Sequence, residues 1–99
     1  MSRSVLDANF DFKSVVPLWR IAPSGIQISR EFIFQDFNQA FAFMTLCAQY
    51  AKEIDHHPDW HNSWNRVSVS LSTHSAKALT ELDIQLAKAM DRFALEVQS

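Results

Sequence analysis

The sequence lacks most of what would mark an extracellular, membrane-bound or nucleic-acid-binding protein. Cysteine occurs once, at Cys47, so no internal disulfide can form. The opening stretch MSRSVLDANF has no basic region followed by an apolar run, which is the pattern of a secretory signal. A reducing, cytoplasmic location is therefore expected. No apolar stretch approaches the ~18 residues that a membrane span requires, and no membrane contact is expected. An excess of positive charge is missing too: 9 Lys and Arg against 11 Asp and Glu leave a net charge of −2 and a pI near 6.0. That gives no footprint for a phosphate backbone, so direct nucleic-acid binding is not expected. Internal repeats, low-complexity segments and an HExxH metalloprotease motif are also absent. What remains is 47% hydrophobic content in 99 residues, enough for one core and one domain spanning 1–99.

Residues 1–16 carry apolar side chains without a clean period and read as an irregular or short helical arm. LWRI (18–21) is a short strand, APSG (22–25) a turn, and IQISREFIF (26–34) a second strand. In that second strand Ile26, Ile28, Phe32 and Phe34 share one face, interrupted by Arg30. Asp36 then caps a helix, with Gln39 at the capping-box position. Phe37, Ala40, Phe41, Met44, Ala48 and Ala51 repeat at helical spacing as its core stripe. Phe43, Leu46, Cys47, Tyr50 and Ile54 lie round the axis from that stripe, and Phe43, Leu46 and Tyr50 are expected to face another subunit. Pro58 cannot continue the helix, which is expected to end near His56.

A segment around Trp60 and a turn at 62–65 lead into RVSVSLSTH (66–74). There Val67, Val69, Leu71 and Thr73 alternate with Ser68, Ser70, Ser72 and His74, so one face is core and the other small and polar. Thr80 caps a last helix, with Asp83 at the third position. The order strand, strand, helix, strand, strand, helix predicts an α+β domain: a four-stranded antiparallel sheet with helices packed on one face.

The chemistry concentrates in EIDHHP (53–58). On an unbroken helix adjacent residues diverge by about 100°, but Pro58 forces His57 out of helical geometry, so His56 and His57 can converge on one pocket. Imidazoles titrate near pH ~6.5, and beside Glu53 and Asp55 one ring can be protonated while the other is neutral. His74, at the end of the serine-faced strand, is a third candidate. The serines leave room above the sheet for a flat ligand, on which Trp60 could stack, although Trp60 also reads as packing. Asp83 could orient a histidine, yet its capping position accounts for it alone. A metal is the competing reading, because His56, His57, His61, His74, Asp55 and Asp59 form a ligand-rich set. Pro58 interrupts the His57 to His61 interval, so that pair cannot present from one helical face, and no metal site is expected.

EIDHHPDWHNSWNRVSVSLSTH, followed by LTELDIQLAKAMD, resembles the pterin-4a-carbinolamine dehydratases, also called the dimerisation cofactor of a hepatocyte nuclear factor. The resemblance extends over about residues 26–95 and includes FQDFNQAFAFM, which is similar to the family's central helix. It implies dehydration of 4a-hydroxytetrahydrobiopterin to quinonoid dihydrobiopterin, a step in tetrahydrobiopterin recycling that is linked to the aromatic amino acid hydroxylases. It also implies catalytic roles for His56, His57 and His74, and substrate contacts at Asp55, Trp60, Ser72, Thr73 and Ser75. No cofactor or metal is implied. A homodimer or homotetramer is expected, assembled through the central helix and the sheet edge. The family also contains members that bind a transcription factor through that helix surface, so a non-catalytic coactivator module is the alternative. Two positions depart from the family: His61 stands where an aromatic residue is often found, and Trp64 where tyrosine is common.

Overall fold

The computed structural model describes residues 4–99, so the first three positions of the predicted arm lie outside the described residues. Its elements run α1 (Phe12–Val15), β1 (Arg20–Ile21), β2 (Ile28–Ile33), α2 (Phe37–Ile54), β3 (Asp59–Ser63), β4 (Arg66–Leu71) and α3 (Glu81–Gln98). The four strands form one antiparallel sheet in the order β1-β2-β4-β3, so the predicted α+β architecture is the observed one.

Alternation along the strands decides which face is covered. Ile28, Phe32, Val67, Val69 and Leu71 point to the side where α2 and α3 pack, and all are buried. Arg30 shares this face and does not break it. Its guanidinium lies 4.1 Å over the Phe32 ring and pairs with Asp91 of α3, which also accepts a hydrogen bond from Trp19 Nε1 at 2.9 Å. A cation paired in this way can occupy a core face without an unpaired buried charge. Serines of β2 and β4 lie on the opposite face, which no helix among the described residues covers.

The central helix is rotated relative to the expected stripe. Ala40, Phe43, Cys47, Ala51 and Ile54 are its buried residues. Phe43 sits 4.6 Å from Phe32 and 5.0 Å from Phe34 between ring centroids. Phe37 and Phe41, expected in the core, are instead 43% and 57% exposed, stacked on each other at 5.7 Å. Phe43 therefore cannot belong to an outward interface. The physical reason is that apolar residues nearly encircle this helix, so periodicity leaves its rotation open and the rings of Phe32 in β2 and of Phe34 just beyond it select the phase.

Strand limits also contract. The first strand has two residues instead of four, and the second starts at Ile28, leaving Ile26 exposed. The expected strand over 66–74 stops at Leu71, after which Thr73 bridges Ala78 across a tight turn. The arm is ordered enough to add a bridge between Val5 and Thr80, flanked by hydrogen bonds from Leu6 N to Leu79 O and from Glu81 N to Ser4 O.

Candidate functional site

The central helix does not run to His56. It ends at Ile54, and Asp55 takes the left-handed conformation at φ 52°, ψ 46°. The Asp55 N–H donates to Lys52 O at 3.2 Å, and the His56 N–H donates to Ala51 O at 3.0 Å. These two bonds close the helix in the Schellman manner, with aspartate where glycine is usual. Both histidines thus lie beyond the helix, and the reversal at Asp55, rather than Pro58, sends them in different directions. His56 turns inward and is only 6% exposed, whereas His57 is exposed.

The inward histidine meets α3. His56 Nε2–H donates to Asp83 Oδ1 at 2.6 Å. Asp83 is fully buried, and its other oxygen accepts from the Thr80 N–H at 2.9 Å and from the Thr73 hydroxyl at 2.8 Å. Because Thr73 spends its one hydroxyl proton on Asp83, Thr80 Oγ1 donates across the 2.7 Å contact between the two threonines. The capping box at Thr80 and Asp83 forms as the spacing predicts. The carboxylate serves two purposes, capping α3 with one oxygen and holding His56 with the other. With Nε2 committed as a donor, a neutral His56 presents an unprotonated Nδ1.

Thr73 precedes His74, so the same carboxylate joins the DHHP segment to the STH segment. A second link runs outside: His74 Nε2 lies 3.5 Å from Asp59 Oδ2, with both side chains well exposed. His56, Asp83, Thr73, His74 and Asp59 with the connecting 57–58 backbone form a closed circuit of residues. His74 begins the turn after β4 and does not lie on the strand, with Ser75 exposed beside it. Lys77 takes a left-handed φ of 52° to close that turn.

Of the residues assigned to substrate, Asp55 is exposed at the helix cap, and Ser72 is half-buried. Thr73 is 1% exposed with its hydroxyl engaged, which places it behind the histidines. Trp60 is half-buried and packs against the core edge from β3. His61 lies on the open sheet face opposite Ser68. Sequence reasoning did not assign Asp59 or Asp83 to the site. For Asp83 the signal was visible, but its capping role sufficed to explain it; Asp59 stood out only beside DHHP and in the competing metal-ligand set, which the sequence disfavoured. Burial pushes the Cys47 thiol well above its usual range, so it contributes no thiolate nucleophile.

Residues 3–93 match the family model described as pterin 4 alpha carbinolamine dehydratase. A protein of Burkholderia lata, provisionally named a pterin-4-alpha-carbinolamine dehydratase, is 49% identical over 83 residues, covering 84% of this chain and 81% of its own length. One from Burkholderia vietnamiensis with the same provisional name is 52% identical over 77 residues, covering 78% and 76%. Among solved structures, the transcriptional coactivator/pterin dehydratase of Brucella melitensis superposes with a TM-score of 0.83 at 39% identity, covering 92% of this chain and 99% of that one. A pterin dehydratase-like protein described as a RuBisCO assembly factor in the alpha-carboxysome shares the fold, with a TM-score of 0.67 at 22% identity over 77% and 88% of the two chains. With the family model spanning most of its length and relatives near half identity, the chain belongs to the pterin 4 alpha carbinolamine dehydratase family.

Proposed function

We propose that the protein dehydrates a 4a-hydroxytetrahydropterin to the quinonoid dihydropterin, with His57 and His74 as the groups that meet substrate. The observation that carries this reading is the hydrogen bond from His56 to Asp83, because it ties the two histidine-bearing segments into one site. Dehydration breaks the bond between C4a and its hydroxyl oxygen, which leaves as water after taking a proton, while a ring nitrogen gives up a proton to restore neutrality. One imidazole donates and another accepts, and a positioned pair of this kind contributes ~10²–10⁴-fold in rate. His57 and His74 are exposed and can reach such a substrate; His56 is a positioning residue that assists from behind. The substrate class is a tetrahydropterin, in the recycling of tetrahydrobiopterin after aromatic amino acid hydroxylation.

Self-association through α2 belongs to the same reading, with the stacked Phe37 and Phe41 as its surface and the free edge of β3 as a second contact in a homodimer or homotetramer. An exposed aromatic pair on a long helix favours such a contact. A non-catalytic coactivator would use that surface and leave the histidines idle. The test is the rate at which 4a-hydroxytetrahydropterin, generated in situ by a hydroxylase, disappears with and without the protein. Acceleration that is lost in His57→Ala and again in His74→Ala is expected. A rate equal to the spontaneous one would remove the enzyme reading.

A further inference from the structure

The open face of the sheet carries a feature that the histidine circuit does not use. One rung of residues crosses all four strands in register: Arg20 pairs with Ser29, Ser29 with Ser70, and Ser70 with Asp59. Residues directly opposite in a sheet point to the same side, so these four side chains line one face. Three inter-strand steps span about 14 Å. Small serines in the middle leave a trough of ≈ 930 Å³ walled by Arg20 at one side and by Asp59 and His61 at the other. Asp59 also faces His74 across 3.5 Å, so this wall of the trough borders the histidine site.

Charge gives the trough a direction. Asp59 is matched by His74, and Glu31 is matched by Arg66 at 3.5 Å and by the Ser68 hydroxyl at 3.3 Å. Arg20 has no ion pair among the described residues, and the Ser29 and Ser70 hydroxyls meet no protein acceptor there. The distal end is thus one guanidinium without an ion pair beside the Ser29 hydroxyl, with Ser70 one strand further in, and a guanidinium with a neighbouring hydroxyl suits a several-oxygen anion. We propose that the trough is a subsite for a phosphorylated C6 side chain of the pterin, with the ring at His57 and His74 and the phosphate at Arg20. This rests on the pterin reading above and extends its substrates to pterins with a phosphate-ended side chain.

Titration calorimetry of the protein with 7,8-dihydroneopterin and with its 3′-phosphate tests the subsite, because the two differ only at the end of the side chain. The phosphate ester should bind about tenfold more tightly, the effect of hydrogen bonds to a charged group. Arg20→Gln should abolish that gain and leave dihydroneopterin affinity unchanged. Ser70→Phe, which fills the floor of the trough, should abolish it with Arg20 intact. Equal affinities in the wild type, or a gain that survives either substitution, would overturn the subsite and leave the pterin reading standing. Binding of neither compound would remove both.

Discussion

Replacing Asp83 separates the two tasks its carboxylate performs. In Asp83→Ala the Thr80 N–H, the His56 Nε2–H and the Thr73 hydroxyl lose their acceptor in a buried place, since the one contact between the two threonines already uses the Thr80 hydroxyl proton. Three orphaned donors at ~1–3 kcal/mol each give a loss of about 3–9 kcal/mol, a large share of the ~5–15 kcal/mol of a typical domain. Asp83→Asn behaves differently. Its amide oxygen can still accept from Thr80 and Thr73, which turns the NH₂ group toward His56. The imidazole must then accept at Nε2 and carry its proton on Nδ1. The fold should lose only about 1–2 kcal/mol, or roughly 5–15 °C in melting temperature for a chain of this size. Activity should fall by tenfold or more, because the inward histidine now offers the wrong nitrogen state to the site. Urea unfolding, the dehydratase assay and ¹⁵N shifts of the His56 ring measure the three effects independently. Wild-type kcat in a folded Asp83→Asn variant, or unchanged stability in Asp83→Ala, would refute the reasoning.

Asp55→Val should unfold about 1–2 kcal/mol more easily than Asp55→Gly, since a left-handed φ is costly for a β-branched residue and free for glycine; equal urea midpoints would contradict the cap. Cys47 should resist iodoacetamide at pH 8 in the native state and react on unfolding, because burial raises its pKa. Its linkage runs one way: the unfolded thiol ionises near ~8.5 while the native one does not, so stability is intact below that pH and falls above it by up to ~1.4 kcal/mol per unit. Cys47→Ala should remove that alkaline loss, as read from urea midpoints between pH 8 and 10. Phe41→Glu should leave the melting temperature of the fold nearly unchanged, since the ring is 57% exposed, and should reduce the assembly size in sedimentation velocity.

The architecture was legible because its signals are local. The Val–Ser alternation of β4 and the Thr80–Asp83 cap each follow from a spacing within a few residues. The rotation of α2 was not legible, since Phe37, Phe41 and Phe43 are equally apolar and only the Phe32 and Phe34 rings of a distant strand choose among them. At the site, the three histidines stand out in the sequence, but their arrangement depends on a backbone reversal at Asp55 that aspartate permits without announcing. Pro58 is the more conspicuous residue, and it lies downstream of the turn that matters. Asp83 shows how one residue with a sufficient local explanation can conceal a long-range contact.

The Thr80 amide proton sits between two structures that are usually separate, the first turn of a helix and the back of a site. Buried and bonded to Asp83, it exchanges with solvent only when that turn opens, and opening it also releases His56. The exchange rate of this single proton is therefore a clock for how often the inward histidine comes loose. The bridge from Val5 to Thr80 sets that clock from the other side, so trimming the arm should quicken it without touching a histidine.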